Sequence, residues 1–335
     1  MRLLLNMGAL LTIALLAIVV NWALEHYRAS PIPDRPPEDP RFAVRHTAYL
    51  AYRAAAHFQA LNADEQRDLR AQVVASMSTL DEWAQQYASA ADLLCLGERH
   101  EDAVRAFIAS QVLPRLSFQV LMLETSRLQL HELIARFNQH KPAIMLGASL
   151  APILRAALSR QPPVRVLAID EPQGLRRRES NAVVASVPTN LQVDRESAVV
   201  ERIRAQWKVG QQHIILFGAL HCRFAAGWMM GKLTEDDHRI RDAGISSAVV
   251  LARQHEGSAQ MLMYLLEEMD LARDIVVIPQ ISRFPRLIQQ WLPPVTEAIA
   301  DYDSAIVFDE RLRTAPTASV AIAISALASR SPQTQ

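Results

Sequence analysis

The sequence predicts an α/β fold: a mainly parallel sheet flanked by helices over residues 91–312, preceded by an N-terminal membrane helix and a helical segment. Three observations lead there. Eight short apolar runs punctuate this region: "LLCLG" (93–97), "FQVLMLE" (118–124), "AIMLGAS" (143–149), "VRVLAID" (164–170), "HIILFG" (213–218), "SAVVLA" (247–252), "DIVVIPQ" (274–280) and "SAIVFDE" (304–310). Their apolarity is continuous rather than alternating, so both faces of each strand must be covered. Most of the intervening stretches are long enough for a helix, the spacing of repeated β-α units.

The N-terminal region comes first. "LLLNMGALLTIALLAIVVNWAL" (3–24) carries no charge, and a helix of about 20 such residues spans a bilayer. Residues 1–28 are therefore expected to be an uncleaved membrane anchor, since the run is longer than a signal peptide's and no small-x-small exit site comes after it. Trp22 and Tyr27 would sit near the interface. Arg2 precedes the span, and Arg28, Arg35 and Arg41 lie beyond it, which by the positive-inside rule alone would retain the body in the cytoplasm. N-terminal anchors of this shape generally export the domain they carry, and an extracytoplasmic body is the expectation adopted. Residues 29–40 include five prolines in "SPIPDRPPEDP" and predict an extended linker. Residues 41–90 carry apolar side chains at three- and four-residue spacing and predict helices; His46 and His57 on them are given no role. The tail, 313–335, is apolar in part but too short to span a membrane.

Composition narrows the function. Lys plus Arg equals Asp plus Glu at 35 each, so no global charge points to nucleic acid. Two cysteines, Cys95 and Cys222, exclude a disulfide-rich scaffold and a cysteine-built zinc site. They read as small core residues, with a disulfide between them open if the body lies outside the cytoplasm.

In a parallel sheet, functional side chains collect at the carboxyl ends of the strands. There the first run delivers Glu98 and His100, the second Glu124, the fourth Asp170, the fifth His221, and the last Asp309 and Glu310. If the first strand stays extended, Glu98 and His100 point the same way. Glu98 could instead cap the helix beginning near Glu101, and Glu124 the helix in "SRLQLHELIARF". Two imidazoles with carboxylates can hold a divalent metal, here through His100, His221, Glu98 and Glu124. Without a metal, a histidine backed by a glutamate can deprotonate water while Arg195 steadies an oxyanion. The arginines at 176–178 rival Arg195 for that role.

The order of these segments resembles a known superfamily. Gly97-Glu98-Arg99-His100 and Gly218-Ala219-Leu220-His221 are paired GxxH motifs after apolar strands, Glu124 closes the strand after the first, and "DRESAVVERIRAQWKVGQQHIILFGALH" leads into the second. "DYDSAIVFDE" resembles the closing strand. Together they resemble the superfamily that includes erythromycin esterase-like hydrolases, ChaN-like haem-binding proteins and TIKI/TraB proteases, over roughly residues 90–312. The resemblance implies a site of Glu98, His100, Glu124, Arg195 with Glu196, and His221. It implies water-mediated cleavage of an ester in one branch, a metal-dependent peptide cleavage in another, and non-covalent haem binding in a third. Val199-Val200 departs from the Met-Ala of esterase-like members, and no insertion long enough for a macrolide pocket is present.

The expectation is therefore a membrane-anchored hydrolase acting on a small ester or peptide. Non-covalent haem binding, through a histidine or through Tyr87, Tyr264 or Tyr302, is the alternative. A catalytically inactive envelope scaffold is a third reading. A fourth places a nucleophile at Ser149 in "LGASLA", near the G-x-S-x-G pattern, with Asp170 and His221 in matching chain order.

Overall fold

The computed structural model describes residues 45–170, 190–208, 210–236, 244–253, 257–292 and 299–310. The expected anchor (1–28), linker (29–40), arginines 176–178 and tail (313–335) lie outside the described residues. Among the described residues no helix is long and apolar enough to cross a membrane.

The described residues contain nine strands: β1 (Leu93–Glu98), β2 (Val120–Leu123), β3 (Ile144–Met145), β4 (Ala148–Ser149), β5 (Arg165–Ala168), β6 (His213–Gly218), β7 (Ile245–Ala252), β8 (Ile275–Ile278) and β9 (Ser304–Phe308). Seven form one sheet in the order β5-β2-β6-β1-β7-β9-β8, parallel throughout except for the antiparallel pair β8 and β9. All six residues of β1 are buried. Leu93 and Cys95 enter one core, and Leu94 and Leu96 enter another. That is the two-residue alternation of a strand covered on both faces, and it explains why the run is continuously apolar.

Helices supply the covers. They include α1 (Arg45–Ala60), α2 (Ala63–Ala75), α3 (Leu80–Trp83), α4 (Asp102–Phe107), α5 (Arg127–Asn138), α6 (Ala151–Leu158), α7 (Asn190–Gln206) and α8 (Met229–Asp236). Ala51, Ala54 and Phe58 of α1 share a core with Leu93, Met122 and Ile215 of the sheet, while Val104, Phe107 and Ile108 pack with Leu94, Leu121 and Ile214.

One run behaves otherwise. The apolarity of "AIMLGAS" predicts a sheet strand, but the segment folds as the β3–β4 hairpin apart from the main sheet. Leu146 (φ 53°) and Gly147 (φ 86°) both adopt left-handed backbone, the signature of a two-residue turn that reverses the chain. Apolar continuity over so short a segment cannot distinguish the two outcomes.

The chain leaves β1 for β2 across a gap that β6 later fills. This crossover makes the two GxxH segments neighbours, with Gly97 opposite Phe217 and Glu98 opposite Gly218. A Cβ on Gly97 would stand 3.0 Å from the Ala219 backbone, so glycine is what lets the turn after β6 lie over β1. Cys95 and Cys222 are bonded there, with Cα atoms 5.6 Å apart, inside the bridging range.

Candidate functional site

Four adjacent strands, β5, β2, β6 and β1, end at one rim, and the side chains beyond their ends meet. The first is Glu98, whose strand stops at that residue. His100 therefore does not share its direction through an extended strand, as the sequence predicts. A left-handed turn at His100 (φ 48°) instead folds the ring back, placing Nδ1 3.1 Å from Glu98 Oε1. Glu98 does not cap α4. The N-cap of that helix is Glu101, without a side-chain cap bond, and the Glu98 carboxylate accepts from Arg105 Nε at 2.8 and 3.0 Å.

Sequence reasoning misses Arg105, although a lone arginine within "DAVRAF" was the available signal. Its Nη1 donates to the carbonyls of Met145 (2.6 Å) and Ala148 (2.7 Å), fixing the β3–β4 hairpin to the site. Its Nη2 lies 3.2 Å from His100 Nδ1. With the His100 proton on Nδ1, Glu98 accepts it and Nε2 is the basic atom.

Glu124 is likewise freed from capping, because Ser126 and Gln129 form the capping box of α5. One Glu124 oxygen accepts from the Gly218 amide (2.6 Å) and the other from Arg195 Nη2 (2.6 Å). Asp170, which the motifs do not assign, grips the same guanidinium, accepting from Nε at 3.0 Å and Nη2 at 2.8 Å. Burial works against the Arg195 charge. The Asp170 hydrogen bond and the charges of Glu124 and Asp170 outweigh it, holding the guanidinium more firmly protonated than usual.

His221 sits in the 3-10 turn Ala219–Cys222 after β6. Its Nδ1 donates to Glu196 at 2.5 Å, and its Nε2 accepts from Arg195 Nη1 at 3.1 Å. Phe217 and Trp228 meet the ring edge-on, with centroids 4.8 and 5.5 Å away. Three of the five Arg195 N–H groups go to carboxylates and one to His221. One Nη1 proton is left without an acceptor among the described residues.

Glu98, His100, Glu124, Arg195 and His221 thus lie in one chain of contacts, closed by His100 Nε2 at 3.5 Å and His221 Nε2 at 3.7 Å from the Glu124 carboxylate. Gly218 is the floor between them. A Cβ there would meet His100 Nε2 at 3.1 Å, Glu124 Oε2 at 3.2 Å and His221 Cδ2 at 3.3 Å. Asp309 lies elsewhere on the rim, 3.6 Å from Arg253.

The other expected chemistries fit less well. Among the described residues no group of three or more His, Cys, Asp or Glu side chains could hold a metal ion. The reason is visible: the Glu98 oxygens face Arg105, and Arg195 stands against both Glu124 and His221 Nε2, so guanidinium groups meet the donors a metal would need. Nor do the tyrosines fit haem ligation. Tyr264 is buried in the core against Tyr52, and the Tyr302 hydroxyl donates to the Ala219 carbonyl. Tyr87 lines an 820 Å³ cleft shared with charged Arg283, Arg286, Asp301 and Asp303, a poor match to an apolar macrocycle. Ser149 occupies the hairpin instead of a strand-to-helix elbow of the main sheet. Asp170 holds Arg195 while Glu196 holds His221, so Ser149, Asp170 and His221 do not assemble into a relay.

Comparison with protein-family models, curated proteins and solved structures finds no match.

Proposed function

We propose that this protein is a membrane-anchored hydrolase that cleaves an ester or amide with water activated at the His100 side of the site, without a bound metal. The observation that carries the reading is the convergence of His100 Nε2, the Glu124 carboxylate and the His221 ring over Gly218, so close that a single added Cβ would stand 3.1–3.3 Å from all three. A histidine whose Nδ1–H is held by a carboxylate keeps Nε2 able to take a proton from water, as a general base does.

In this reading His100 Nε2 takes a proton from water as the oxygen adds to the substrate carbonyl. The remaining Nη1 proton of Arg195 donates to the oxyanion. The imidazolium then returns its proton to the leaving oxygen or nitrogen as the carbon–heteroatom bond breaks. Glu98, itself held by Arg105, fixes the His100 tautomer. His221, backed by Glu196, keeps Arg195 turned toward the site. A bonded Cys95–Cys222 pair accords with an oxidising compartment and hence with an exported body.

A panel of p-nitrophenyl esters and peptide anilides tests the reading. Saturable turnover that falls by roughly 10²–10⁴-fold in His100→Ala is expected, the usual contribution of a general base. Turnover equal in wild type and variant would overturn it, and inactivity across the panel would favour a scaffold role.

A further inference from the structure

A second feature adjoins the site. Glu124 and Thr125 form the inner end of a 280 Å³ groove whose walls are α5, through Gln129, Glu132, Leu133 and Arg136, and the β3–β4 hairpin, through Ile144, Met145 and Leu146. We propose that this groove is the acyl-binding subsite of the hydrolase, taking a short, uncharged aliphatic acyl group, with Ile144 and Leu146 as its specificity-determining residues. The assignment rests on the hydrolytic reading of the adjoining centre.

Four observations support it. First, the groove is continuous with the centre: Glu124 lines it and contacts both Gly218 and Arg195. Second, its size is small. At 280 Å³ it falls just short of the range of drug-sized pockets, the scale of a short acyl chain such as hexanoyl. Third, the charges that line it are already matched within the protein: Arg136 donates to Glu132 at 3.0 Å, and Glu124 accepts from Arg195 and the Gly218 amide. Neither an acidic nor a basic acyl group finds a partner there.

The fourth observation is the hairpin itself. Ile144, in β3, is 53% exposed and Leu146, in the turn, is 43% exposed, both large aliphatic side chains facing water. Leu146 also adopts a left-handed backbone that favours Asn or Gly at the first position of such a turn. An apolar side chain in a conformation unfavourable to it, facing water beside a reactive centre, fits a surface shaped for a ligand better than one shaped for stability. The hairpin is also anchored: Arg105 holds the carbonyls of Met145 and Ala148, and Asp102 accepts from the Ser149 amide at 2.6 Å. The groove wall and the His100 support therefore share one arginine.

Isothermal titration of hexanoate, the product-like probe, into the full-length chain tests the assignment. Saturable binding tighter than that of acetate or decanoate is expected. Leu146→Asn should raise the melting temperature, because Asn-Gly suits the turn, yet weaken hexanoate by about tenfold, the factor given by roughly 1.4 kcal/mol of lost apolar contact. A purely structural role for Leu146 predicts the first change without the second. Ile144→Trp, which fills the groove, should weaken hexanoate at least as much and serves if the first variant misfolds. Unchanged hexanoate affinity in both variants, or no hexanoate binding by wild type, would overturn the subsite. Loss of affinity in the variants of a chain that turns over no ester would instead retain the groove and remove the hydrolytic reading alone.

Discussion

Arg105 and Glu98 form an ion pair that solvent does not reach: their side chains are 0% and 1% exposed, with Nη2 2.8 Å from Oε1. The guanidinium also satisfies two hairpin carbonyls, so its charge and most of its donors are matched inside the protein. Removing one member of such a pair leaves a buried charge unmatched. Arg105→Met should therefore cost about 3–5 kcal/mol in urea denaturation. A loss below about 1 kcal/mol, the range of surface pairs, would contradict this picture of the pair.

Gly218 provides the sharpest steric test. Its backbone (φ −53°, ψ 136°) suits any residue, so alanine meets no conformational penalty, only the neighbours. The added methyl must displace His100, Glu124 or His221 by tenths of an ångström. Gly218→Ala should lower kcat/KM by roughly tenfold, less than the about 10²-fold that a full ångström of misplacement costs, while the circular dichroism spectrum is unchanged. Full activity in a folded variant would show that the close packing of His100, Glu124 and His221 over Gly218 does not set the geometry of the reaction.

These two residues also mark how far a sequence can be read. Strands such as "LLCLG" and "HIILFG" announce themselves because burial on both faces demands unbroken apolarity. The histidines and Glu124 are legible from their places at strand ends. Arg105 is not, because its partner lies seven positions earlier and its other contacts are carbonyls forty and more positions on, none of which leaves a periodic trace. The positions of Asp170 and Glu196 are visible, but their partners depend on how α7 lies across the sheet. "AIMLGAS" reads as a strand until the left-handed Leu146-Gly147 turn is known, and Gly at only one of the two turn positions is a weak signal.

Cys95 and Cys222 close a loop between residues 127 apart, and both are fully buried. Replacing both with alanine should destabilise the protein by roughly 2–5 kcal/mol, as loss of a native bridge does. Turnover should also fall, since Cys222 is the residue next to His221. Unchanged stability by differential scanning calorimetry would mean that the bridge does not form.

Acid should weaken the fold through His213. Burial pushes its imidazole below the ordinary value, against smaller raising effects from backbone hydrogen bonds, and its Nε2 is buried without a hydrogen-bond partner among the described residues. The unfolded chain thus binds the proton more readily than the native one. Stability is complete above the ordinary histidine value, about 6.5, and drains away as pH falls through it. Melting curves from pH 7.5 to 5 should show this decline, and His213→Gln should flatten it. An equal slope in the variant would place the proton uptake elsewhere.

In the proposed reaction the His100 imidazole carries the proton, and chemical rescue tests this most directly. His100→Ala should lose roughly 10²–10⁴-fold in kcat/KM on the best ester, and added imidazole should restore part of that loss in a saturable, pH-dependent manner. A folded His100→Ala variant with wild-type turnover would contradict the claim.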